Sequence, residues 1–481
     1  MTLSAEHPSD TAPSSAPAPV LDGLDALTAA VDGQVLLPGD DGYAEECSPY
    51  NLAVSHAPAV VVGAAGPADV QAAVRFAVRN DLPVAVMATG HQASLPADGA
   101  VLITTRRMDR VSIDPARRTA RVGAGVRWRA VVDAAAEHGL APLNGSSPLV
   151  GVVGYTLGGG LSPTMGRLHG WASDHVTAVE VVTADGELHQ LENRGEDSPE
   201  ADLLWGLLAS KSNVGVVTAL EFGLFPVTHL HAGGLFFAGE HAAAVLAAYA
   251  ELTAGAPDEL TTSIGLTRFP PLPFLPDFLS GRFAVHVRFS LVGDAATADA
   301  LLAPLRACAP VVLDTVGEMP YRENASIHDD PVDPAPFTQR TVLLKEFTPE
   351  SLADLVDLFG PGSDCPVHIV ELRQLGGALA AEGDQPYAAA QREAAFALCL
   401  FVIGPPRGSA AASAWIDEAF RRLGPHTAPG AYANFTAAWD TDPEDVRRAY
   451  LPATFERVQR VKARHDPRNL FRLNLNVLPR S

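Results

Sequence analysis

The sequence has few cysteines, and they stand far apart. Cys47, Cys308, Cys365 and Cys399 show none of the close spacings of a zinc site or a redox dithiol. We therefore expect four reduced, mostly buried thiols, no bound metal and a cytoplasmic protein.

Positive charge is also scarce. The chain has 34 Lys and Arg against 56 Asp and Glu, a net charge of −22. A surface this acidic repels phosphate, which argues against nucleic acid and anionic membranes as partners. No apolar run reaches the roughly 18 residues of a membrane span. Residues 1–19 are rich in Ala, Ser and Pro and lack the basic start and apolar stretch of a secretory signal, so we expect a disordered tail.

What is present is the composition of a large globular protein. The 481 residues are 47% hydrophobic, enough for a sizeable core, which excludes a wholly disordered chain. An apolar run at 59–63, a helical pattern from Pro67 and a second apolar run at 82–86 predict a β-α-β unit with parallel strands. From about residue 232, amphipathic helices alternate with strands, which predicts an antiparallel sheet with helices on one face.

Two glycine-bearing stretches have the small residues that let backbone approach a ligand. Met87-Ala88-Thr89-Gly90-His91 follows a predicted strand, and its amides are able to turn toward an anion. Five glycines stand between Gly151 and Gly160, flanked by apolar residues unlike those of a linker. The β-α-β frame of the dinucleotide fingerprint is missing here, which disfavours a Rossmann fold. An ordinary turn and a flexible loop remain the alternatives.

These stretches are part of an ordered set of motifs. Gly90-His91 is followed by residues 122–126 (Val-Gly-Ala-Gly-Val), 150–160, Trp205, Asn213, 215–218, Tyr432-Ala433-Asn434-Phe435, 466–471 (Asp-Pro-Arg-Asn-Leu-Phe) and Asn476. With these motifs in this order, the chain resembles the berberine bridge enzyme-like FAD-linked oxidases of the vanillyl-alcohol oxidase and p-cresol methylhydroxylase (PCMH) superfamily. The resemblance covers nearly the whole chain from about residue 40.

The resemblance implies an α+β, two-domain flavoprotein. We expect a PCMH-type FAD-binding domain over residues 20–228, completed by 446–481. The substrate-binding domain would span 229–445, with an antiparallel sheet covered by helices and a berberine bridge enzyme-like C-terminal motif.

The resemblance also implies the cofactor contacts. His91 would bond to the 8α-methyl carbon of FAD. Ser147 stands where relatives carry a second linking cysteine, and because serine forms no thioether we expect a single covalent bond. Val150 stands where relatives control oxygen access, and its small side chain implies an oxidase. The expected FAD contacts are Met87, Ala88, Thr89, Gly90, His91, Gln92, Ser147, Val150, Gly151, Gly154, Tyr155, Gly158, Gly159, Gly160, Asp174, Gly215, Val216, Val217, Asn434 and Asn476.

Three residues are candidates for catalysis. Tyr432 is the expected general base, provided that its environment lowers its pKa from the usual value of about 10; an ordinary half-buried strand tyrosine is the alternative. Glu371 and Gln374 lie on a predicted substrate-domain strand. On a regular strand 371 and 373 share one face and 374 lies on the other.

One stretch departs from the family pattern. Leu208, Ala209, Ser210 and Ser212 stand where relatives carry an arginine and glycines. Side chains at these places add atoms where backbone should approach closely, and positive φ becomes costly.

From all of this we expect an oxidase that moves a hydride from a hydroxyl-bearing small molecule to flavin N5, with O₂ reduced to H₂O₂. Apolar strand residues favour an aromatic or polyketide-like secondary metabolite: Phe236, Phe237, Val285, Val287, Leu398, Leu400 and Val402. The alternatives are a flavin-bound cyclase or metabolite-sequestering protein without net redox, and a flavin-free binding module. The sequence leaves monomer and homodimer open.

Overall fold

The structure is a computed structural model that describes residues 21–92, 95–193, 198–273, 275–381, 392–404, 410–435 and 442–480. The predicted disordered tail, residues 1–19, lies outside the described residues. No helix in these ranges is both long and apolar enough to cross a membrane.

The first sheet contains the predicted β-α-β unit. Its strands are β1 (Gln34–Leu36), β2 (Val60–Gly63), β3 (Val84–Met87) and β4 (Val101–Thr104). Strands β2 and β3 both pair in parallel with β4 between them, and β1 joins β2 antiparallel. Between β2 and β3 runs helix α3 (Pro67–Arg79), which begins at Pro67 because the first helical turn does not need a backbone N–H there. The parallel pairing is confirmed, with β4 inserted between the two predicted strands.

The second sheet is antiparallel and forms the main core of the N-terminal half. Its strands are β5 (Val111–Asp114), β6 (Thr119–Gly123), β7 (Val176–Val182), β8 (Leu188–Glu192) and β9 (Val216–Gly223), in the spatial order β5-β6-β9-β7-β8. Their inward residues pack with Trp128, Trp205 and apolar residues of the C-terminal segment such as Val458 and Val477. The end of the chain is therefore part of this core.

The third sheet is the predicted antiparallel one. Its strands are β10 (His229–Ala238), β11 (Leu260–Arg268), β12 (Phe283–Leu291), β13 (Val311–Asp314), β14 (Gly317–Pro320), β15 (Phe337–Leu344), β16 (Ile369–Gln374) and β17 (Phe396–Ile403). One face packs in a single core against four helices: α8 (Ala242–Ala254), α9 (Ala295–Cys308), α10 (Pro349–Phe359) and α11 (Ala410–Leu423). The helices thus cover one face, as predicted, and the other face is turned toward the first two sheets.

The remaining helices are short or lie against the second sheet. They are α1 (Leu24–Ala30), α2 (Tyr43–Cys47), α4 (Trp128–Ala136), α5 (Val152–Leu157), α6 (Gly166–His169), α7 (Pro199–Ser210), α12 (Pro443–Arg448) and α13 (Pro452–His465). The segment 443–465 contains two helices, because Pro452 cannot continue α12 and instead opens α13. Helix α13 packs closely on α7, where a Cβ at Gly206 would lie 2.7 Å from Val461 Cγ1.

The C-terminal motif at 466–471 holds the chain end in place. Lys462 Nζ, fully buried, donates to Asp466 Oδ2 at 2.7 Å and to the backbone oxygens of Asn213 and Phe471. Asp466 in turn accepts from the amides of Leu470 and Phe471. A buried ion pair satisfied on every side fixes one local geometry, so this motif positions the segment that follows it.

Candidate active site

A cavity of about 500 Å³ lies between the first two sheets and the uncovered face of the third. Its walls come from four segments far apart in sequence: the loop after β3, the glycine-bearing region around α5, the segment 211–217 and strands β15 to β17. The segment 432–435 and residues 473–475 complete it. The cavity therefore exists only when the N-terminal half, the third sheet and the chain end are assembled.

The loop after β3 places all of its predicted cofactor residues, 87–92, on this cavity. Gly90 has φ +69°, and a Cβ there would lie 2.4 Å from Pro49 unless backbone moved, so the turn requires glycine. Gln92 donates to the backbone oxygen of Ala433 at 2.6 Å, which joins this loop to the segment that carries Tyr432.

His91 is held in a defined position by two neighbours, and one of its ring nitrogens has no hydrogen-bond partner among the described residues. Its Nδ1 lies 3.0 Å from Thr89 Oγ1, and its ring stacks on that of Tyr50 with centroids 3.8 Å apart. His91 Nε2 is buried, and no described residue offers it a hydrogen bond. Burial, together with nearby Arg127, lowers the pKa of His91 to about 4, so the ring is neutral at physiological pH. A neutral imidazole with a free nitrogen is a nucleophile.

The glycine-rich stretch is a short helix, α5, rather than a flexible loop. Gly151, Gly154, Tyr155 and the preceding Ser147 and Val150 line the cavity. At Gly154 a Cβ would meet no atom within 4 Å, so the absence of a side chain leaves open space at this wall. A flat ligand is able to approach the backbone there.

Gly158, Gly159 and Gly160 do not line the cavity. A Cβ at Gly158 would collide with the side chain of Asn434, and Gly159 and Gly160 have φ +100° and +78°. They serve the close packing of the turn after α5, so their expected cofactor contact is not what the structure shows. Asn434, which fills the space beside Gly158, does line the cavity and donates to the backbone oxygen of Tyr155 at 2.8 Å.

Asp174 and Asn476 are also placed away from the cavity lining. Asp174 accepts from the Trp171 amide and pairs with Arg392 at 3.0 Å, which makes it a local structural carboxylate. Asn476 lies between Leu475, which lines the cavity, and Val477, which is in the core. By contrast, Gly215, Val216 and Val217 all line the cavity at the start of β9.

The departure at 208–214 is accommodated without positive φ at any of its four substituted positions, 208, 209, 210 and 212. Leu208 is buried in the core, residues 209 and 210 end helix α7, and Ser212 has φ −87°. Only Lys211 adopts a left-handed φ, +58°. The cost of a side chain at positive φ thus falls on one residue that sequence reasoning had not singled out.

Lys211 is the buried cation of this wall. Its Nζ donates to Gln92 Oε1, and burial lowers its pKa to about 8. It lines the cavity next to Ser212. An ammonium in this position attracts negative charge on a ligand.

The third sheet contributes polar groups to an otherwise apolar wall. Glu371 lines the cavity together with Arg373 and Arg288, and its carboxylate pairs with both guanidiniums at 2.9 and 3.0 Å. Burial alone would raise the pKa of Glu371, but the two arginines outweigh it and hold the pKa well below the ordinary value. Glu371 is therefore ionised.

Gln374 is not brought into the site. Its side chain lies on the opposite face of β16, where Oε1 accepts from Thr262 Oγ1 at 2.7 Å. The strict alternation of the strand decides this, since the strand does not bend at its end. The structure therefore does not place Gln374 beside the other two candidate catalytic residues.

The same alternation corrects the apolar residues used to argue for the substrate. Phe237, Val285, Val287, Leu398, Leu400 and Val402 all face the helices in the sheet's core, and Phe236 stacks on His286 outside the cavity. The apolar side chains that do face the cavity from this sheet are Phe337, Ile369, Phe401 and Ile403.

Tyr432 lies on the cavity but not on a strand. It immediately precedes a 3₁₀ turn, Ala433–Phe435, closed by a bond from the Phe435 amide to the Tyr432 oxygen. Its hydroxyl accepts from the Leu161 amide at 2.9 Å. Burial raises the pKa of Tyr432 to about 12, against smaller opposing effects of Asn434, Leu161 and Arg373. The lowered pKa that a base would need is not provided by these protein groups.

Several cavity residues carried no local sequence signal. Tyr50 and Asp330 lie in irregular segments, and Arg288 and Arg373 reach the site only through strand register. Their position depends on long-range pairing of strands, which a single sequence read along its length does not reveal.

Comparison with known proteins agrees with this geometry. Residues 58–192 match the family described as FAD binding domain, and residues 431–478 match Berberine and berberine like. These two matches confirm the predicted resemblance to the berberine bridge enzyme-like FAD-linked oxidases. The two matched segments contain His91 and Tyr432, which the fold brings to one cavity.

The relatives that comparison finds have low sequence identity to this chain. The chain is 25% identical over 473 residues to (R)-6-hydroxynicotine oxidase of Paenarthrobacter nicotinovorans, covering 94% of this chain and 98% of the relative. It is 31% identical over 218 residues to FAD-linked oxidoreductase azaL of Aspergillus niger, spanning less than half of each. The fold is that of xylooligosaccharide oxidase from Myceliophthora thermophila C1, solved in complex with xylobiose, with a TM-score of 0.81, 20% identity and 95% and 99% of the two chains covered.

The described residues fit the flavin that the family carries. A free buried nitrogen on His91, open space over Gly154 and a buried ammonium at Lys211 face one cavity. None of the four cysteines lines it, and Ser147 occupies the wall. These features suit a flat, anionic cofactor.

Proposed function

We propose that the chain is an FAD-dependent oxidase that removes a hydride from a CH–OH or related carbon of a small molecule and passes the electrons to O₂, giving H₂O₂. Bound FAD supplies the hydride acceptor. The observation that carries the proposal is the single cavity shared by His91, Gly154 and the ionised cluster on β16. Small-molecule chemistry is supported by the size of this cavity and by its apolar walls.

His91 is the proposed attachment point for the cofactor. Its ring is neutral, its Nε2 has no described partner, and Tyr50 and Thr89 fix its orientation. A single bond is expected, since Ser147 stands where a second linking sulfur would be needed. Residues 87–92 and 151–155 would offer backbone to the phosphates and the sugar chain.

Substrate is proposed to enter against the face of the third sheet. Phe337, Ile369 and Phe401 would pack on its apolar part, and the ion cluster at Glu371 would orient its polar part. With the hydroxyl of Tyr432 protonated, this residue is better suited to hold the reacting oxygen by a hydrogen bond than to take its proton as a free base. Glu371, ionised and buried, remains a proton acceptor only if substrate displaces one of its arginines.

Val150 lines the cavity beside the glycine-rich helix, and its small side chain supports access of O₂ to the same space. The cytoplasmic location and the domain boundaries near residues 228 and 445 stay predictions. Monomer and homodimer both stay open.

Purified protein tests the proposal in two steps. Acid precipitation should leave yellow colour in the pellet, and mapping should place it on the peptide with His91. Anaerobic addition of aromatic and sugar alcohols should bleach the flavin, and air should restore the colour with release of H₂O₂. Bound flavin that no substrate bleaches would favour the cyclase or sequestering alternative, and protein that takes up no FAD would contradict the proposal altogether.

A further inference from the structure

The cavity of the proposed oxidase also favours one charge on its substrate, and this assignment rests on the proposed function. Two strands, β12 and β16, place long charged side chains on the cavity face on either side of β11. Ser263 of β11 pairs in register with Arg288 on one side and Arg373 on the other, and Gly265 pairs with Glu371. The small residues between them leave room: a Cβ at Gly265 would lie 3.3 Å from Arg288 Nη1.

Positive charge exceeds negative charge in this cluster. The side chains of Arg288, Arg373 and Glu371 are 12%, 10% and 5% exposed, so two guanidiniums share one carboxylate away from solvent. One more counter-charge would balance the pair of arginines.

The neighbouring titratable groups do not supply it. His328 lies 3.5 Å from Glu371, and His286 faces the cluster from β12; burial and Arg288 lower the pKa of both, so both are neutral. Cys399 and Tyr432 have pKa values raised to about 12 by burial and stay protonated. Asp330 faces the cavity as well and attracts Arg373, but it is only partly buried and, within the described residues, forms no ion pair with either arginine, so water screens much of its charge.

The arginines also keep donors for a ligand. Arg373 donates from Nε to Glu371 Oε2, and its Nη2 forms an ion pair with the same oxygen. Within the described residues, Arg373 Nη1 has no hydrogen-bond partner. Arg288 gives Nη1 to Glu371, and its buried Nε is without a partner in the same part of the chain. Both side chains line the cavity.

Aromatic rings surround these donors. The Arg373 guanidinium lies over the Phe435 ring, with 4.9 Å between Arg373 Cζ and the ring centroid. Phe337 and Phe401 line the same cavity. A flat apolar body would lie against the rings with an oxygen anion directed at the guanidiniums.

We propose that this cavity selects aromatic substrates that carry an anionic oxygen, a carboxylate or an ionised phenol, and that Arg373 and Arg288 bind that oxygen. The two arginines are specificity residues, and Glu371 holds them in place and sets how much positive charge remains for the ligand.

Binding of benzoate and benzamide to the flavin-loaded protein tests this without turnover. The two probes have the same shape and differ in charge, and calorimetry or the change in flavin absorbance gives the dissociation constant of each. We expect benzoate to bind at least about tenfold more tightly than benzamide, the difference typical of a charge-assisted bidentate contact.

Two substitutions should move this preference in opposite directions. Arg373→Gln leaves a balanced pair of Arg288 and Glu371, and the preference should fall to about twofold or less. Glu371→Gln leaves two unbalanced guanidiniums, and the preference should rise. Damage to the fold would weaken both probes alike, so only opposite shifts in the ratio support the proposal.

Equal affinity of the two probes for the unsubstituted protein would overturn the inference. So would a preference that survives Arg373→Gln but disappears in Lys211→Met, because benzoate would then be bound at the other cation of the cavity. Since the readout is binding, a flavoprotein that binds benzoate as expected but is bleached by no substrate would refute the proposed function and leave the anion site standing.

Discussion

The ring of Tyr50 lies flat on the imidazole of His91, with centroids 3.8 Å apart and the two planes 7° from parallel. The Tyr50 hydroxyl donates to the backbone oxygen of Pro331, so the stacked pair is anchored to the segment that follows the 3₁₀ helix Tyr321–Ile327. A histidine that must attack a carbon in a fixed direction gains from this confinement.

Replacing Tyr50 should therefore affect attachment of flavin before it affects folding. We expect Tyr50→Leu to lower the covalently bound fraction several-fold, because the imidazole loses its stacking partner. Tyr50→Phe is the matched control: it keeps the ring, loses only the bond to Pro331 and should stay close to full attachment. The measurement is flavin absorbance in the acid-precipitated pellet, relative to total flavin before precipitation. Equal loss in both variants would mean that the hydroxyl, and not the stack, positions His91.

The contact between Gly158 and Asn434 couples the glycine-rich helix to the tyrosine segment. A Cβ at Gly158 would collide with the Asn434 side chain, so Gly158→Ala should destabilise the protein by about 2 kcal/mol, a common cost of overpacking. In an Asn434→Ala background the obstacle is gone, and the same substitution should cost less than half as much. Urea unfolding of the four proteins gives the coupling energy. Additive losses would show that the helix yields instead of the asparagine.

A part of the fold or of the site can be predicted from the sequence when the residues that form it lie close together in the chain. Strands β2 and β3 with α3 between them follow from adjacent apolar runs and a proline at a helix start, and the structure has all three. Gly90 and His91 also follow from local order, since a turn directly after a strand fixes where its residues point. Arg288 reaches the cavity only through the register of β11 and β12, which no local pattern states.

The incorrect predictions also arise because a local sequence pattern does not show which face of a strand meets which neighbour. The apolar character of Leu398 and Leu400 predicts substrate contact, but both side chains are buried between the sheet and its helices, where apolar residues stabilise the core. The faces of β17 alternate, so its odd-numbered residues Phe401 and Ile403 line the cavity. No sequence pattern marks Lys211, since only the backbone shows which position in the segment 208–214 has positive φ.

Tyr432 provides a test of its proposed role as a hydrogen-bonding residue. We expect Tyr432→Phe to lower kcat and to destabilise the protein by about 1 to 3 kcal/mol, since the buried Leu161 amide loses its acceptor. Tyr249→Phe is the matched control, because it removes a buried hydroxyl bonded to Thr262 away from the cavity and should cost stability without lowering kcat.

The pH profile separates the two roles of Tyr432. With its pKa raised to about 12, the hydroxyl stays protonated from pH 6 to 10, and kcat/KM should show no inflection that belongs to it in this range. A basic limb present in the unsubstituted enzyme and absent from Tyr432→Phe would show instead that the bound cofactor lowers the pKa and that the residue acts as the base.

Lys211 should make stability depend on pH in the alkaline range. Its pKa in the folded protein, about 8, lies below the ordinary 10.5, so folding disfavours the ammonium form. The unfolded chain therefore keeps a proton between pH 8 and 10.5 that the folded protein gives up, and stability contributed by this residue rises with pH across that window. Below pH 8 the full cost of burying the ammonium group is present.

Lys211→Met removes this cost, and the variant should be more stable at pH 7 by roughly 1 to 3 kcal/mol. The advantage should shrink steadily between pH 8 and 10. Urea unfolding in a His91→Ala background, from which flavin can be dialysed, keeps cofactor charge out of the comparison. An advantage that is the same at pH 7 and pH 10 would assign the gain to better burial of the apolar methionine side chain and not to loss of the buried charge, since methionine keeps the same backbone φ of +58°.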